Sequence, residues 1–587
     1  MTPRSRPNVF DPLARLLWVV VVLGVCGTAI AARAAWMQLV SPEFYQQQGD
    51  ARFVRDIPIS ASRGAILDRS GETLAASSPV SSIWANPRET LGHPQRVAEL
   101  AEALGLPEAD LKRRLSERAD REFVYLRRHM NPDQATRVLS LRVPGVHEQR
   151  EFRRFYPHGE VMAHVLGFTN IDDQGQEGLE LAFDPWLTGK PGAKRVIRNR
   201  QGQVIEDVDL LSAAEPGRDL ALSLDRRVQY LAHRELKAGL EKNNAKSGSV
   251  VVLDIPTGEI IAMVNQPSYN PNARAAGQNA ARRNRAITDL IEPGSVIKAM
   301  TVAAAMEAGA DPTLQIDTNP GFFPLRNHTI RDIRNFGLVD MTRLLQKSSN
   351  IAATKLALGM SNEHFYDVLQ RFGYGQTTGS GFPGEAVGVL PSPRGWGEVE
   401  KATISYGYGL SATPLQIAQS YAVLAHQGRL LPPTFVRGGN AQAPAGRQVI
   451  DPQIARSVMG MLEAVVAPGG SATLAAVSGY RVAGKTGTSR AAVAGGYEKR
   501  YVSVFAGVVP VQQPRFAMVV VIHDPTAGAI FGGAVAAPVF HAVMDGALRL
   551  MDVPPDNVRQ WFATAPTPEV SEIGSDGVVE LTAGGPP

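Results

Sequence analysis

The stretch Glu292-Pro293-Gly294-Ser295-Val296-Ile297-Lys298-Ala299-Met300 joins a helix-breaking dipeptide to a helix-forming run. The pattern predicts Ser295 in the first turn of a helix, with Lys298 three residues later on the same face. A serine hydroxyl becomes a good nucleophile only when a neighbouring base accepts its proton. A lysine can be that base when burial or a second cation lowers its pKa. Ser295 and Lys298 are therefore a candidate nucleophile and base, although this spacing also arises by chance in a long chain.

A second candidate segment, Lys347-Ser348-Ser349-Asn350, ends an apolar-periodic stretch. In a non-helical turn, Ser348 and Asn350 point to one side and present a hydroxyl and an amide together. A helix cap is the alternative, because serine and asparagine are also common there. A similar Ser268-Tyr269-Asn270 precedes Ser295 in a proline-rich loop, so only the later segment has the expected order.

The third segment is Val482-Ala483-Gly484-Lys485-Thr486-Gly487-Thr488. If it is a strand, Thr486 and Thr488 project to one face, where two hydroxyls and a lysine suit a carboxylate. Gly487 between them is expected to let a substrate backbone approach closely. Gly479 to Thr486 also matches the phosphate-loop template, but its interior predicts a strand where a phosphate loop needs a turn and a following helix.

The ordered set S-x-x-K, S-x-N and K-T-G is similar to the signature of penicillin-binding proteins and serine β-lactamases. The chain resembles class B penicillin-binding proteins over almost its whole length. The segments that resemble the family's pedestal-domain motifs are Arg63–Arg69 with Gly71, Arg154–Pro157 and Gly175–Glu180. Those that resemble the septal, division-specific type are Asn284–Asp289, Ser405–Leu410 and Thr413–Gln416. Elongation-specific relatives carry Pro-Pro-Gly-Ser where this chain has Glu292-Pro-Gly-Ser295, and Ile297 stands where related sequences vary.

The resemblance implies a role for each residue in D,D-transpeptidation. Ser295 attacks the carbonyl between the last two D-alanines of a stem peptide, and Lys298 takes its proton. Backbone N–H groups of Ser295 and Thr488 form the oxyanion hole, worth about 3 kcal/mol per donor.

The remaining roles concern the leaving group and the substrate. Ser348, linked to Lys485, passes a proton to the departing D-alanine, and Asn350 orients the substrate amide. Thr486, Gly487 and Thr488 bind the substrate, the two threonines by its terminal carboxylate. β-Lactams mimic the substrate and stall at the acyl stage, and no metal or cofactor is implied.

The expected fold is α/β, with five segments along the chain. Residues 1–15 form a cytoplasmic N-terminus, 16–40 a transmembrane anchor, 41–212 an extended α+β pedestal domain, 213–552 the transpeptidase domain and 553–587 a flexible tail. The transpeptidase domain is expected to be a serine β-lactamase-like sheet flanked by helices. Helical periodicity marks residues 94–142 of the pedestal, and Arg198–Val204 is hairpin-like.

The anchor is predicted from an uncharged apolar run, Leu16 to Ala32. A helix of about 20 residues crosses the hydrocarbon core. Arg4, Arg6 and Arg15 place the N-terminus in the cytoplasm, which puts the catalytic domain in the periplasm. A cleaved signal peptide is the alternative.

Composition excludes several classes of protein. The net charge is only +4, from 60 basic and 56 acidic residues that are interspersed, so nucleic-acid binding is not expected. The chain has one cysteine, Cys26 inside the apolar run, which excludes an intramolecular disulfide and a thiolate metal site.

The expected partners are peptidoglycan stem peptides, β-lactams and division-machinery membrane proteins, including a glycosyltransferase that uses a lipid carrier. Two alternatives to a septal transpeptidase stay open at this point: an elongation-specific enzyme, and a penicillin-binding sensor or scaffold. A sensor normally needs a cytoplasmic signalling domain, whereas only about 15 residues are expected in the cytoplasm here. A scaffold does not need the reacting residues, whereas this chain has them all.

Overall fold

The structure, a computed structural model, describes residues 12–40, 54–198, 204–273, 279–438, 446–493 and 496–557. Its internal contacts define two compact units. The first consists of Met1–Ser62, Ser78–Arg153 and Gly189–Gly217, and the second of Arg63–Ser77, Arg154–Thr188 and Arg218–Pro587. The sequence predicted a single domain boundary at residue 212, but the two units alternate along the chain. They alternate because Ile66, Leu166 and Leu179 belong to the same hydrophobic core as the later strands.

The second unit is built on a five-stranded antiparallel sheet. Its strands are β1 (Ser247–Asp254), β2 (Ile260–Gln266), β3 (Ala483–Val493), β4 (Gly496–Val509) and β5 (Phe516–His523). Their spatial order is β2-β1-β5-β4-β3, so β3 lies at one edge. Every residue of β1 and β2 is buried, and both faces of these strands are therefore covered.

Nine longer helices surround this sheet in the described part of the second unit. They are α1 (Arg226–Lys242), α2 (Lys298–Glu307), α3 (Met341–Lys347), α4 (Asn350–Leu358), α5 (Asn362–Arg371), α6 (Glu398–Ser405), α7 (Pro414–Ala425), α8 (Pro452–Val466) and α9 (Ala537–Leu550). Helices α1 and α9 pack on each other and on the sheet, and α7 packs on β1, β4 and β5. The expected sheet flanked by helices is confirmed.

Shorter elements complete the second unit. The short helices are Ala163–Leu166, Gly178–Ala182, Asp184–Leu187, Asn279–Arg282, Arg285–Thr288 and Gly532–Val535. The short strands are Ile66–Leu67, Phe168–Thr169, Gly175–Glu177, Leu220–Ala221, Ile316–Asp317, Phe322–Leu325, His328–Arg331, Leu338–Val339, Arg429–Leu430 and Arg447–Gln448. Phe322–Leu325 and His328–Arg331 pair as a hairpin, which lies beside the candidate site described below.

The first unit has a smaller core of its own, formed by Ile83, Leu100, Leu104 and Leu111 among others. Its helices are Pro87–Leu91, Pro94–Leu104, Glu108–Ser116 and Pro132–Ser140. Its strands are Val54–Ile59, Val124–Met130, Gly192–Arg198 and Val204–Ser212, and the strands Thr73–Ala85 and Val146–Phe155 run through both units.

Two expectations for the first unit are modified. The helical periodicity of residues 94–142 is interrupted by the strand Val124–Met130, which pairs with Thr73–Ala85 and so satisfies its backbone in a sheet. The hairpin-like segment joins two strands that do pair, Gly192–Arg198 and Val204–Ser212, and residues 199–203 lie outside the described residues.

The apolar N-terminal run forms the helix Pro12–Ala35, continued by a π-helical turn at Trp36–Val40. Within Pro12–Leu39, the most apolar stretch of 18 residues has a mean hydropathy of 2.2, and none of that stretch is buried within the protein. A helix of this length and composition can cross a membrane. Residues 1–11, with Arg4 and Arg6, lie outside the described residues.

At the other end, residues 553–557 are held to the catalytic unit. Asp556 accepts hydrogen bonds from the backbone N–H groups of Arg481, Val511 and Gln512, and Tyr480 donates to the carbonyl of Val553. The first residues of the predicted flexible tail, 553–557, are therefore bound to the catalytic unit. The rest of the tail, 558–587, lies outside the described residues.

A buried ion network joins three of the pedestal-type motifs within the second unit. Arg63 Nε and Arg154 Nε each donate to one oxygen of Glu180, at 2.7 and 2.6 Å. Arg63 also donates to Asp184 at 2.7 Å, and Arg154 to the carbonyl of Gly64 at 2.8 Å. The side chain of Glu180 is fully buried.

We expect Glu180→Ala to lower the free energy of unfolding by about 3–5 kcal/mol, because it leaves two buried guanidinium groups without their shared carboxylate. Glu72→Ala is the matched control, since Glu72 is exposed and lies 3.8 Å from Arg226, a pair worth about 1 kcal/mol or less. Denaturant unfolding of the full chain in detergent measures both. Equal losses for the two variants would contradict a structural role for the network.

Candidate active site

The predicted nucleophile lies on a short turn that precedes α2. Residues Gly294–Ile297 form a 3₁₀ turn, and α2 begins at Lys298. Gly294 has a φ of +57°, which favours glycine, and Gly407 lies so close that an added Cβ would stand 2.0 Å from the Gly294 carbonyl oxygen. These two glycines allow the turn to pack against the Ser405–Leu410 segment and fix Ser295 at the start of α2.

Lys298 is fully buried and brings the first two motifs together. Its Nζ lies 3.1 Å from Ser295 Oγ, 2.7 Å from the carbonyl oxygen of Ser348 and 2.7 Å from Asn350 Oδ1. Burial, and next the charge of Lys485, hold the pKa of Lys298 well below its usual range, while Asp332 opposes this shift. The S-x-N segment therefore contacts the predicted base, in addition to capping a helix.

The hydrogen bonds of Lys298 fit a neutral amine. A neutral amine has two N–H donors and one lone pair. The Ser348 carbonyl and Asn350 Oδ1 can only accept, and the Asn350 amide is oriented by its Nδ2 donating to the carbonyl of Arg331 at 3.0 Å. In the neutral form these two acceptors use both N–H groups, and the lone pair is available to the hydroxyl of Ser295 at 3.1 Å or to that of Ser348 at 3.2 Å.

Ser348 stands between two lysines. It ends α3 in the left-handed region, with φ 60° and ψ 42°, and Ser349 caps α4. Its Oγ lies 3.2 Å from Lys298 Nζ and 3.0 Å from Lys485 Nζ. The backbone thus breaks between α3 and α4, and the break places the Ser348 hydroxyl between the two amines.

Lys485 is fully buried on the edge strand β3. Burial lowers the pKa of Lys485 to about 7. Its Nζ also lies 3.1 Å from the carbonyl of Thr486. Two lysines that share one hydroxyl repel each other when both are charged, so the pair favours a single positive charge.

The hydroxyl of Thr488 on β3 accepts a hydrogen bond, whereas either hydroxyl can be the donor between Thr486 and Ser471. Thr488 Oγ1 accepts from the N–H of Gly532 at 3.1 Å, and Thr486 Oγ1 lies 3.2 Å from Ser471 Oγ. The Cβ position of Gly294 lies 3.4–3.5 Å from the Thr488 backbone, so the nucleophile turn lies directly against this strand. As an edge strand, β3 has backbone groups available for an extended peptide.

Gly487 is required by packing within the protein itself. A Cβ there would lie 2.7 Å from the Pro293 carbonyl oxygen and 3.2 Å from Val296 Cγ1. The nucleophile turn therefore requires a glycine at this position, and the approach of a substrate backbone stays a prediction. The phosphate-loop alternative is also excluded, because β3 continues to Val493 where that loop needs a helix.

Sequence reasoning missed two groups of functional interest. Glu292 Oε1 accepts from the Gly409 N–H at 2.9 Å and from the Tyr497 hydroxyl at 3.0 Å, and burial raises the pKa of Glu292. Asp332 binds the S-x-N turn. Glu292 could have been noticed from its place beside the nucleophile, but no sequence signal marks Asp332.

Two family models match the chain. The model described as "Penicillin binding protein transpeptidase domain" matches residues 248–545, and "Penicillin-binding Protein dimerisation domain" matches residues 58–222. The chain belongs to the penicillin-binding protein family. The resemblance expected from the three motifs is therefore confirmed.

Curated relatives give the subgroup. The chain is 44% identical over 545 residues to the peptidoglycan D,D-transpeptidase FtsI of Escherichia coli K12, covering 91% of this chain and 92% of the relative. It is 41% identical to a probable peptidoglycan D,D-transpeptidase, PbpC, of Pseudomonas aeruginosa, over 94% and 98% of the two chains. This penicillin-binding protein is of class B and of the division-specific type.

Solved structures agree with this fold. The transpeptidase domain of Burkholderia pseudomallei penicillin-binding protein 3 matches with a TM-score of 0.53 and 41% identity, over 57% of this chain and 97% of that one. A peptidoglycan synthetase from Bifidobacterium adolescentis matches with a TM-score of 0.68 at 24% identity, over 86% and 98%, and supports the fold alone.

If Lys298 is the base, we expect acylation by a penicillin to depend on pH through the two lysines. Lys298 must be neutral to accept a proton, so the rate falls in acid as Lys298 becomes charged. The charge of Lys485 helps to lower the pKa of Lys298, and Lys485→Met removes it. We expect the acid limb of the normalised pH–rate profile to move to higher pH in this variant. Lys347→Met is the control, since Lys347 donates to the carbonyl of Gly469, and its profile should match wild type. An unmoved limb in Lys485→Met would contradict the coupling.

Proposed function

We propose that Ser295, Lys298 and Ser348 carry out the peptidoglycan D,D-transpeptidase reaction of this class B penicillin-binding protein. The observation that supports it most is the buried amine of Lys298, whose Nζ lies 3.1 Å from Ser295 Oγ and 2.7 Å from both the Ser348 carbonyl oxygen and Asn350 Oδ1. The family acts on peptidoglycan stem peptides and binds β-lactams.

In the first step, Ser295 Oγ attacks the carbonyl carbon between the last two D-alanines, and its proton passes to Lys298. The N–H groups of Ser295 and Thr488 stabilise the oxyanion. Thr486 and Thr488 donate to the terminal carboxylate, and the Lys485 charge attracts it. When the C–N bond breaks, Ser348 gives its proton to the departing amine and recovers one from Lys298, which thereby becomes neutral. The product is an ester on Ser295.

In the second step, the amine of a neighbouring stem attacks this ester. Lys298, neutral again, accepts a proton from the attacking amine and returns it to Ser295 as the C–O bond breaks. The new amide is the cross-link. Asn350 supports both steps by holding Lys298, which adds to its expected role towards the substrate amide.

The proposal is tested with a peptide that ends in D-Ala-D-Ala and an added amine acceptor. The full chain in detergent should release D-alanine and form the new amide, and Ser295→Ala should do neither. Wild-type protein that is folded but releases no D-alanine, under conditions where a related transpeptidase does, would overturn the assignment.

We propose further that the protein works at the division septum, since its relatives include FtsI proteins. Depletion in the source bacterium should then give filamentous cells, with septation blocked and elongation intact. Light microscopy of depleted cells decides the question. Round cells would point to the elongation-specific alternative instead.

The location and the partners are also proposals. The apolar helix anchors the protein in the inner membrane. Arg15, which lies in the first turn of this helix and directly before its apolar run, supports a cytoplasmic N-terminus and a periplasmic catalytic domain. We propose that the anchor and pedestal bind a division glycosyltransferase that uses a lipid carrier. Exchanging residues 1–40 for an unrelated anchor should abolish co-purification of that partner, and its persistence would contradict the anchor's part.

A further inference from the structure

Asp332 is a carboxylate at the active site for which the mechanism above has no role. It directly follows the hairpin strand His328–Arg331. Its Oδ2 accepts from Ser349 Oγ at 2.6 Å, and its Oδ1 accepts from the backbone N–H groups of Asn350 and Ile351 at 2.5 and 3.2 Å. One side chain therefore binds three consecutive residues that begin immediately after Ser348.

These contacts fix the start of α4. The first N–H groups of a helix have no partner within the helix, and a carboxylate is well suited to accept from them. Ser349 Oγ, which donates to Asp332, also accepts from the N–H of Ala352 at 3.0 Å. The neighbouring Arg331 carbonyl accepts from Asn350 Nδ2. The hairpin thus holds both the backbone and the side chain of Asn350.

The turn that Asp332 holds is strained. Ser348 adopts a left-handed conformation, which costs a residue other than glycine on the order of 1–2 kcal/mol. On one side the Ser348 carbonyl is bound by Lys298, and on the other side α4 is bound by Asp332. Without the second attachment, the turn can relax and withdraw its hydroxyl from between Lys298 and Lys485.

The charge of Asp332 also acts on the pKa of Lys298. The charged groups that act on Lys298 are Lys485 from β3 and Asp332 from the end of the hairpin, and their effects on its pKa are opposite. Ser348 and Asn350, from the turn between α3 and α4, contribute neutral acceptors.

We propose that Asp332 is a positioning residue of the reaction, which holds the Ser348–Asn350 turn, and through it the Lys298 amine, in the reactive arrangement. The proposal rests on the roles given above to Ser295, Lys298 and Ser348. Asp332 does not touch the reacting atoms; it acts through the three residues that it binds.

The test is the rate constant for acylation of the full chain by a fluorescent penicillin, together with its pH profile and the melting temperature. Asp332→Asn keeps the size and removes the charge, and should acylate about tenfold more slowly; Asp332→Ala loses all three bonds and should be about a hundredfold slower. Asp340→Asn is the matched control: Asp340 caps α3 by accepting from the Arg343 N–H at 2.7 Å, and its acylation should stay within about twofold of wild type.

The pH profile separates positioning from a merely structural role. Loss of the Asp332 charge should move the acid limb of Asp332→Asn to lower pH, opposite to Lys485→Met. If the Asp332 variants do not fold, Ser349→Ala removes one of the three donors and should acylate about threefold more slowly. A folded Asp332→Asn with the rate and acid limb of wild type would overturn the proposal, as would equal slowing in Asp340→Asn. If Ser295→Ala is still acylated, the proposed function fails, and not this inference alone.

Discussion

Lys298→Met should acylate with penicillin about 10⁴-fold more slowly than wild type. The variant keeps a side chain of similar length but removes the group that takes the serine proton, and a positioned base of this kind contributes up to about 10⁴-fold. It also removes the bonds to the Ser348 carbonyl and Asn350 Oδ1, both at 2.7 Å, so the turn loses its attachment to α2. Stopped-flow or gel-based labelling gives the rate constant.

The matched control is Lys355→Met on α4. Lys355 donates to the Asp317 carbonyl at 2.6 Å and does not contact Ser295, so its acylation should equal that of wild type. The melting temperatures of both variants show whether each is folded. A folded Lys298→Met that acylates within about tenfold of wild type would mean that another group serves as the base.

Ser348→Ala should slow acylation by about 10²–10³-fold. The hydroxyl is the only bridge that the described residues provide between Lys298 and Lys485, at 3.2 and 3.0 Å. Its removal interrupts the path by which a proton reaches the leaving amine. It also leaves Lys485 with Thr486 as its remaining described partner.

A suitable control is Ser361→Ala, because Ser361 caps α5 by accepting from the His364 N–H and lies outside the site. This variant should lose about 1 kcal/mol of stability with no change in acylation. If Ser348→Ala acylates at the wild-type rate while folded, the proton reaches the leaving group without Ser348, and its assigned role is wrong.

The main features of this site could be predicted from sequence because they are local. Ser295 and Lys298 lie one helical turn apart, and Thr486 and Thr488 share one face of a strand, so residue spacing decides their geometry. The sheet was predictable for a similar reason, since β1 contains the apolar run 250–253 and β5 the apolar run 516–522. The association of the three motifs came from their order along the chain, which resembles the family.

The features that could not be predicted from the sequence depend on contacts between segments that are distant along the chain. The break between α3 and α4 depends on Asp332 and Lys298, which lie 16 and 50 positions before Ser348, and on an unusual backbone conformation at Ser348. Gly487 is required by the carbonyl of Pro293, a neighbour that only the folded chain provides. The interleaved boundary between the units follows likewise from packing of Ile66 and Leu179 into the later core.

The most direct measurement is labelling of the purified full chain with a fluorescent penicillin, with Ser295→Ala beside it. The account predicts a covalent fluorescent band in wild type that is absent from Ser295→Ala, while both proteins melt at similar temperatures. A folded wild-type protein that stays unlabelled, or a Ser295→Ala variant that is labelled as strongly as wild type, would contradict it.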